Sequence, residues 1–201
     1  TRTLLCAAIL AATSAAASAG DTFTNPVIRR SAPDPTVIRA DDGHFYLYST
    51  EDTPNTPIYR SDNLVDWTLI GTAFSDTSRP SWNPKGGIWA PDINKIGDKY
   101  VLYYSKSEWM GLKDAGVGVA TADRPEGPFT DHGCIVSYHN TGVWCSIDPF
   151  FIEDEGRKYL IWGSYWDTFG IELTADGLSV KPGARKVHIA SNFMEGSYVF
   201  K

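Results

Sequence analysis

Along most of this chain, short runs alternating apolar and polar residues recur in sets. Gly43, Gly97 and Gly156 are each followed three residues later by a tyrosine: Tyr46, Tyr100 and Tyr159. Each tyrosine opens a stretch rich in β-branched and aromatic residues, at 46–50, 100–107 and 159–166. Ahead of each stretch stands an acidic residue with an aliphatic one four places on: Asp34 and Ile38, Asp92 and Ile96, Asp148 and Ile152. Glu195 and Val199 start the same pattern a fourth time. Behind each stretch comes a third run, ending at Asp62, Asp123 and Asp176, then a short segment carrying Trp67, Phe129 or Leu178. Period-two runs bounded by glycine turns predict strands. Four antiparallel strands returning at intervals of 58 (34 to 92), 56 (92 to 148) and 47 (148 to 195) residues predict propeller blades. A β-sandwich explains the strands but not their recurrence. Helix-period apolar stripes are missing after residue 20, which argues against barrel or doubly wound α/β folds.

Composition agrees with an all-β chain: among 201 residues there are 18 Gly, 12 Pro, seven Trp and ten Tyr. The net charge of −6 argues against nucleic acid, whose phosphates need a basic surface. Acidic groups among many aromatics suit neutral sugars, because rings stack on C–H faces while carboxylates hold hydroxyls. Residues 1–19 read as an export signal. Arg2 supplies the charge, Leu4 to Ala12 the apolar run, and Ala17, Ser18 and Ala19 the small-residue cleavage pattern. The run is too short to span a bilayer. The expected location is therefore secreted or periplasmic, with no membrane attachment after cleavage. In such a compartment Cys134 and Cys145 form either a disulfide or two buried thiols.

The first strand of a blade lies beside the central axis, so Asp34, Asp92, Asp148 and Glu195 are expected to ring one mouth of the channel. Carboxylates crowded in that way cannot all ionise together, which is the setting acid–base chemistry needs. Any one such residue is also a good turn former, its oxygen bonding nearby amides. Asp92 keeps that structural reading. Glu195 is a poor turn former, which favours a chemical reading of the set.

With these residues the chain resembles glycoside hydrolase family 43, the five-bladed propellers that include arabinanases, arabinofuranosidases and β-xylosidases. The resemblance rests on Ala32-Pro33-Asp34-Pro35, Trp89-Ala90-Pro91-Asp92, Ser146-Ile147-Asp148-Pro149-Phe150, Gly163-Ser164-Tyr165-Trp166 and Glu195-Gly196-Ser197-Tyr198. It implies inverting hydrolysis of a glycosidic bond. Asp34 then matches the general base, Glu195 the general acid, and Asp148 a third carboxylate that tunes and orients the acid. Trp89, Ser164 and Trp166 match segments lining the family's sugar cleft. Gly163 to Trp166 followed by Gly170 and Ile171 is similar to a stretch of the endo-acting α-1,5-arabinanases, favouring arabinan over xylan. A β-xylosidase and a non-catalytic sugar-binding propeller are the alternatives, and the second need not keep all three carboxylates. Related fructan hydrolases would carry Trp-x-Asn-Asp-Pro, Arg-Asp-Pro and Glu-Cys motifs, and none occurs. WD and kelch repeat signatures are missing too.

The resemblance implies no required cofactor. Many members hold calcium through a histidine of the last blade, which leaves calcium unassigned here. A monomer acting on polysaccharide or oligosaccharide is expected, without nucleic acid or membrane partners. Residues 20–201 are expected to supply three blades and the inner strand of a fourth. In that layout Glu195 hangs on an unsupported strand, so these residues alone are expected to be inactive.

Overall fold

The computed structural model describes residues 22–200. The expected export signal at 1–19 lies outside them. Among the described residues twelve strands form three separate four-stranded antiparallel sheets, each a blade. The first holds β1 (Thr36–Arg39), β2 (Phe45–Tyr48), β3 (Pro57–Ser61) and β4 (Thr68–Thr72) in chain order. The second holds β5 (Gly87–Ile96), β6 (Lys99–Ser107), β7 (Gly116–Ala122) and β8 (Thr130–Ser137). The third holds β9 (Phe150–Asp154), β10 (Arg157–Trp162), β11 (Asp167–Glu172) and β12 (Val187–Ser191). One helical turn, α1 (Tyr138–Thr141), follows β8. The inner strands face one another in sequence, β1 against β5 and β5 against β9.

The blades are held by two layers of side chains, and β6 shows how. Its Tyr100, Leu102 and Tyr104 point into the layer shared with the first blade, among Tyr48, Ile58, Phe74 and Ile88. Its Val101 and Tyr103 point the other way, among Phe151, Leu160 and Trp162 of the third blade. Alternate residues of a strand face opposite sides, so a central strand packed on both must be apolar throughout. That is why the stretch from Tyr100 to Tyr104 lacks polar positions. Burying each such side chain contributes about 1.5–3 kcal/mol.

The structure departs from the sequence reading in three places. The outer strand of the third blade is β12, not the segment at Leu178. Leu178 sits in a tight hairpin closed by a Leu173–Val180 bridge, and its side chain packs against the second core layer. The chain therefore makes an extra hairpin before returning to pair with β11. Residues 192–200, expected to include an inner strand from Glu195, form no strand. A strand exists by pairing, and among the described residues no strand pairs with this segment.

The third finding concerns register. Val37 pairs with Leu47, Ile93 with Leu102 and Phe151 with Leu160. Counting three residues back from the first member of each pair gives Asp34, Ala90 and Asp148. Each precedes a proline, and each has left-handed backbone, with φ of 50°, 40° and 58°. In the second blade Ala90, not Asp92, thus occupies the place of Asp34 and Asp148. Asp92 instead takes the place of Thr36 and Phe150, two residues further along the inner strand.

Candidate active site

A cleft of about 950 Å³ opens where the three inner strands begin. Asp34, Asp92, Asp148 and Glu195 all line it, together with Trp89, Trp109, Tyr165 and Tyr198. The sequence expectation that these four carboxylates meet at one mouth thus matches their placement, although only Asp34 and Asp148 share one backbone position.

Asp34 is exposed to the cleft, and its Oδ2 accepts a hydrogen bond from the Thr50 hydroxyl at 2.6 Å. Asp148 is half-buried. Its Oδ2 accepts the Gly196 N–H at 3.2 Å, which ties the third blade to the segment bearing Glu195. Its own N–H donates to the Ser105 hydroxyl at 2.8 Å. Burial pushes the Asp148 carboxyl up to about 6; the Gly196 bond opposes the rise, and the charges of Glu195 and Asp34 add to it. Glu195 is exposed, and its Oε2 accepts the Ser164 hydroxyl at 3.1 Å.

Left-handed backbone before proline is unfavourable, and it costs about 1–3 kcal/mol where it occurs. Asp34 and Asp148 both adopt it. Own-blade backbone bonds hold the two turns alike: Thr50 N–H donates to Pro33 O at 2.9 Å, and Gly163 N–H to Ile147 O at 2.8 Å. Gly163 has φ of +119°, and a Cβ there would lie 2.3 Å from Asp167 O, so only glycine fits.

The remaining expected residues fall in three kinds of place. Trp89 lines the cleft, and its indole lies so close over Gly87 that a Cβ on Gly87 would meet Nε1 at 2.4 Å. Ser164 is buried and bonds Glu195, so it supports a carboxylate rather than lining the cleft. Trp166 is 45% exposed, lies outside the cleft lining, and packs edge-on against Trp144 with centroids 6.3 Å apart. Tyr165, next to it in the turn between β10 and β11, has left-handed backbone with φ of 64° and takes the cleft side.

Asp92 is no turn former. Its Oδ2 accepts the Phe151 N–H at 2.6 Å and the Asn94 amide at 2.9 Å, so it latches the second blade to the third. Burial pushes its carboxyl from the ordinary 3.8 up to about 7, against those two hydrogen bonds. A carboxyl whose folded pKa is raised contributes its full stability below the unfolded value and loses it as pH rises through the folded one. Asp92 should therefore cost the fold stability between about pH 4 and pH 7, by roughly 4 kcal/mol at most at about 1.4 kcal/mol per pH unit. Asp92→Asn keeps an oxygen for Phe151 and cannot ionise, so its urea-unfolding free energy should fall less over that range. Parallel pH curves for the two proteins would disprove the buried, proton-holding state.

Cys134 and Cys145 are free thiols, which settles the disulfide question left open by their spacing. Cys145 lines the cleft, and burial first, then the charges of Asp148 and Glu195, push its thiol up. Sequence reading also missed Trp109 and Met110, an exposed pair at the cleft wall for which the repeat offered no signal.

The family model for glycosyl hydrolases family 43 matches residues 23–201. The chain belongs to glycoside hydrolase family 43. Its three sheets are blades of that family's five-bladed β-propeller. It is 32% identical over 177 residues to a probable arabinan endo-1,5-alpha-L-arabinosidase A of Aspergillus flavus, covering 84% of this chain and 54% of that protein. Among solved structures it is similar to the alpha-L-arabinanase of Cellvibrio cellulosa, with a TM-score of 0.72 and 28% identity over 81% of this chain and 54% of that one. The same arabinanase complexed with arabinohexaose matches with a TM-score of 0.70 and 26% identity, over 81% and 54% of the two chains. The chain thus spans about half the length of the relatives it matches.

Proposed function

We propose that the protein to which this chain belongs hydrolyses arabinan, as an α-1,5-arabinanase or arabinofuranosidase, by an inverting acid–base mechanism. The observation that carries the reading is the convergence of Asp34, Asp148 and Glu195 on one aromatic-walled cleft. Asp34 has the exposure a base needs to take a proton from water, and Glu195 the exposure an acid needs to reach a leaving oxygen. An inverting enzyme sets these on opposite sides of the sugar ring, leaving room for the water. Asp34 and Glu195 come from the first blade and from beyond the third, which suits that requirement. Arabinan is favoured because the similar proteins are named as arabinan endo-1,5-alpha-L-arabinosidase and alpha-L-arabinanase, one of them seen with arabinohexaose.

Trp89 and Tyr165 would stack on sugar faces along the cleft walls. Trp166 would reach substrate only beyond the cleft, beside Trp144. Among the described residues no group of three or more His, Cys, Asp or Glu side chains could hold a metal ion, so calcium is given no step. No helix of the described residues is long and apolar enough to cross a membrane. Secretion, proposed from residues 1–19, and a monomeric state complete the reading.

Incubating the full-length protein with arabinan, xylan and arabinoxylan, and following the new reducing ends by NMR, tests the substrate and the inverting mechanism together. Arabino-oligosaccharides released with inverted anomeric configuration are expected. Xylose products would favour the β-xylosidase alternative, and no cleavage a binding propeller. The state of Asp148 adds a second check. With its carboxyl near 6, the rate should rise as Asp148 ionises through that pH. Asp148→Asn should remove that limb from the pH–rate profile as well as lowering the rate. A limb that persists unchanged near pH 6 would assign it to another group.

A further inference from the structure

Thr50 and Ser105 occupy the same place in successive blades, three residues past Leu47 and Leu102, the second-strand partners of Val37 and Ile93. Neither was singled out by the sequence. Each hydroxyl accepts the N–H of the left-handed, pre-proline residue of the next blade. Ala90 N–H donates to Thr50 Oγ1 at 2.7 Å, and Asp148 N–H donates to Ser105 Oγ at 2.8 Å. In the third blade the equivalent residue is Gly163, which follows Leu160 by the same count and has no hydroxyl. Its neighbour Ser164 supplies one instead, donating to Glu195 Oε2 at 3.1 Å. The first two blades therefore end their second strand with a hydroxyl that takes a backbone N–H of the next blade's inner segment, and the third with one that bonds the Glu195 carboxylate.

Thr50 does more than the others. Its single proton goes to Asp34 Oδ2 at 2.6 Å while its lone pair takes the Ala90 N–H. Because the backbone amide can only donate, the hydroxyl proton is committed to the carboxylate. One oxygen of Asp34 is thereby held, and the other is left for the cleft. Asp34 itself is exposed, so without that bond its carboxylate would rotate freely in a strained turn.

We infer that Thr50 is the positioning residue of the proposed base Asp34, with Ser164 serving Glu195 in the same way, while Ser105 holds only the backbone N–H of Asp148. The inference rests on the hydrolase reading above. It assigns Ser164 to the support of the acid rather than to sugar contact.

The test uses the full-length protein and arabinan, with Thr50→Val, Thr50→Ser, Asp34→Asn and the Thr50→Val/Asp34→Asn pair. Thr50→Val keeps the shape of threonine and removes the hydroxyl, and should lower kcat about tenfold or more with KM little changed, as a misdirected base does. Thr50→Ser restores the hydroxyl and should recover most of the rate. In the Asp34→Asn background Thr50→Val should cost almost nothing further, because a residue acting through Asp34 has nothing left to position. A general packing role for Thr50 would instead subtract equally in both backgrounds. That result, an unaffected Thr50→Val enzyme, or a Thr50→Ser enzyme as slow as Thr50→Val would overturn the inference while leaving the hydrolase reading standing. Full activity in Asp34→Asn would overturn both.

Discussion

In the full-length protein, Asp34→Asn should reduce turnover of arabinan by about 10² or more, the contribution usual for a positioned general base. The substitution replaces a group that can take a proton by one that cannot, and changes little else. The amide has the size of the carboxylate, and its oxygen can still accept the Thr50 hydroxyl that now reaches Oδ2. Asparagine also tolerates left-handed backbone better than most residues, so φ of 50° at this position should persist. Circular dichroism and the melting temperature should therefore match the parent, which isolates the loss to chemistry. A purified, folded Asp34→Asn enzyme with near-normal rates would remove the base from Asp34. The effect should fall on kcat and not on KM, because the water is activated only as the bond breaks.

The blades were legible in the sequence because their cause is local and periodic. Alternation at Tyr100 to Tyr104, the turn at Gly97 and the tyrosine three residues on follow from strand geometry and from packing on both faces. The alignment of the blades was less legible. Asp92 and Ile96 reproduce the spacing of Asp34 and Ile38, yet in register Ile38 matches Asn94, so that Ala90 takes the carboxylate's place. Pairing register carries no composition signal, and so the coincidence in spacing misled. The outer strand of the third blade was missed for a similar reason. The Leu173–Val180 hairpin lengthens the connection before β12, and tertiary packing of Leu178 decides that detour.

The site divides along the same line. Asp34, Asp148, Glu195 and Trp89 were found because each sits in a motif whose residue types suit the chemistry, and they do line one cleft. Ser164 was read as a sugar contact, and the structure turns its hydroxyl towards Glu195. Nothing in a run of Gly163 to Trp166 says which side chains face the cleft, because Gly163 breaks the alternation with φ of +119°. Thr50 and Ser105 were overlooked although a signal existed. Both are hydroxyl residues three places past the leucine of their second strands, a coincidence visible once the blades are aligned by register. Their role is a contact between successive blades, and a periodicity within one blade cannot show it.

Glu195→Ala should separate substrates by their leaving groups. A general acid matters in proportion to the basicity of the oxygen that departs. In arabinan that oxygen is a sugar hydroxyl, which leaves only with a proton, so the variant should lose about 10²–10⁴ in rate. An aryl arabinoside with an acidic phenol leaves as its anion and needs little help, so its hydrolysis should fall by no more than about tenfold. The structure makes this contrast a clean one. The Glu195 side chain is exposed and bonded by the Ser164 hydroxyl, so removing it opens no core cavity. The Gly196 N–H, which bonds Asp148 Oδ2, belongs to the backbone and is retained in the variant. Asp148 and Asp34 thus keep their supports, and activation of water should continue on the other side of the sugar. Measuring kcat/KM on both substrates with one preparation checks the claim. Equal losses on arabinan and on the activated aryl glycoside would show that Glu195 holds the site together and does not protonate the departing oxygen.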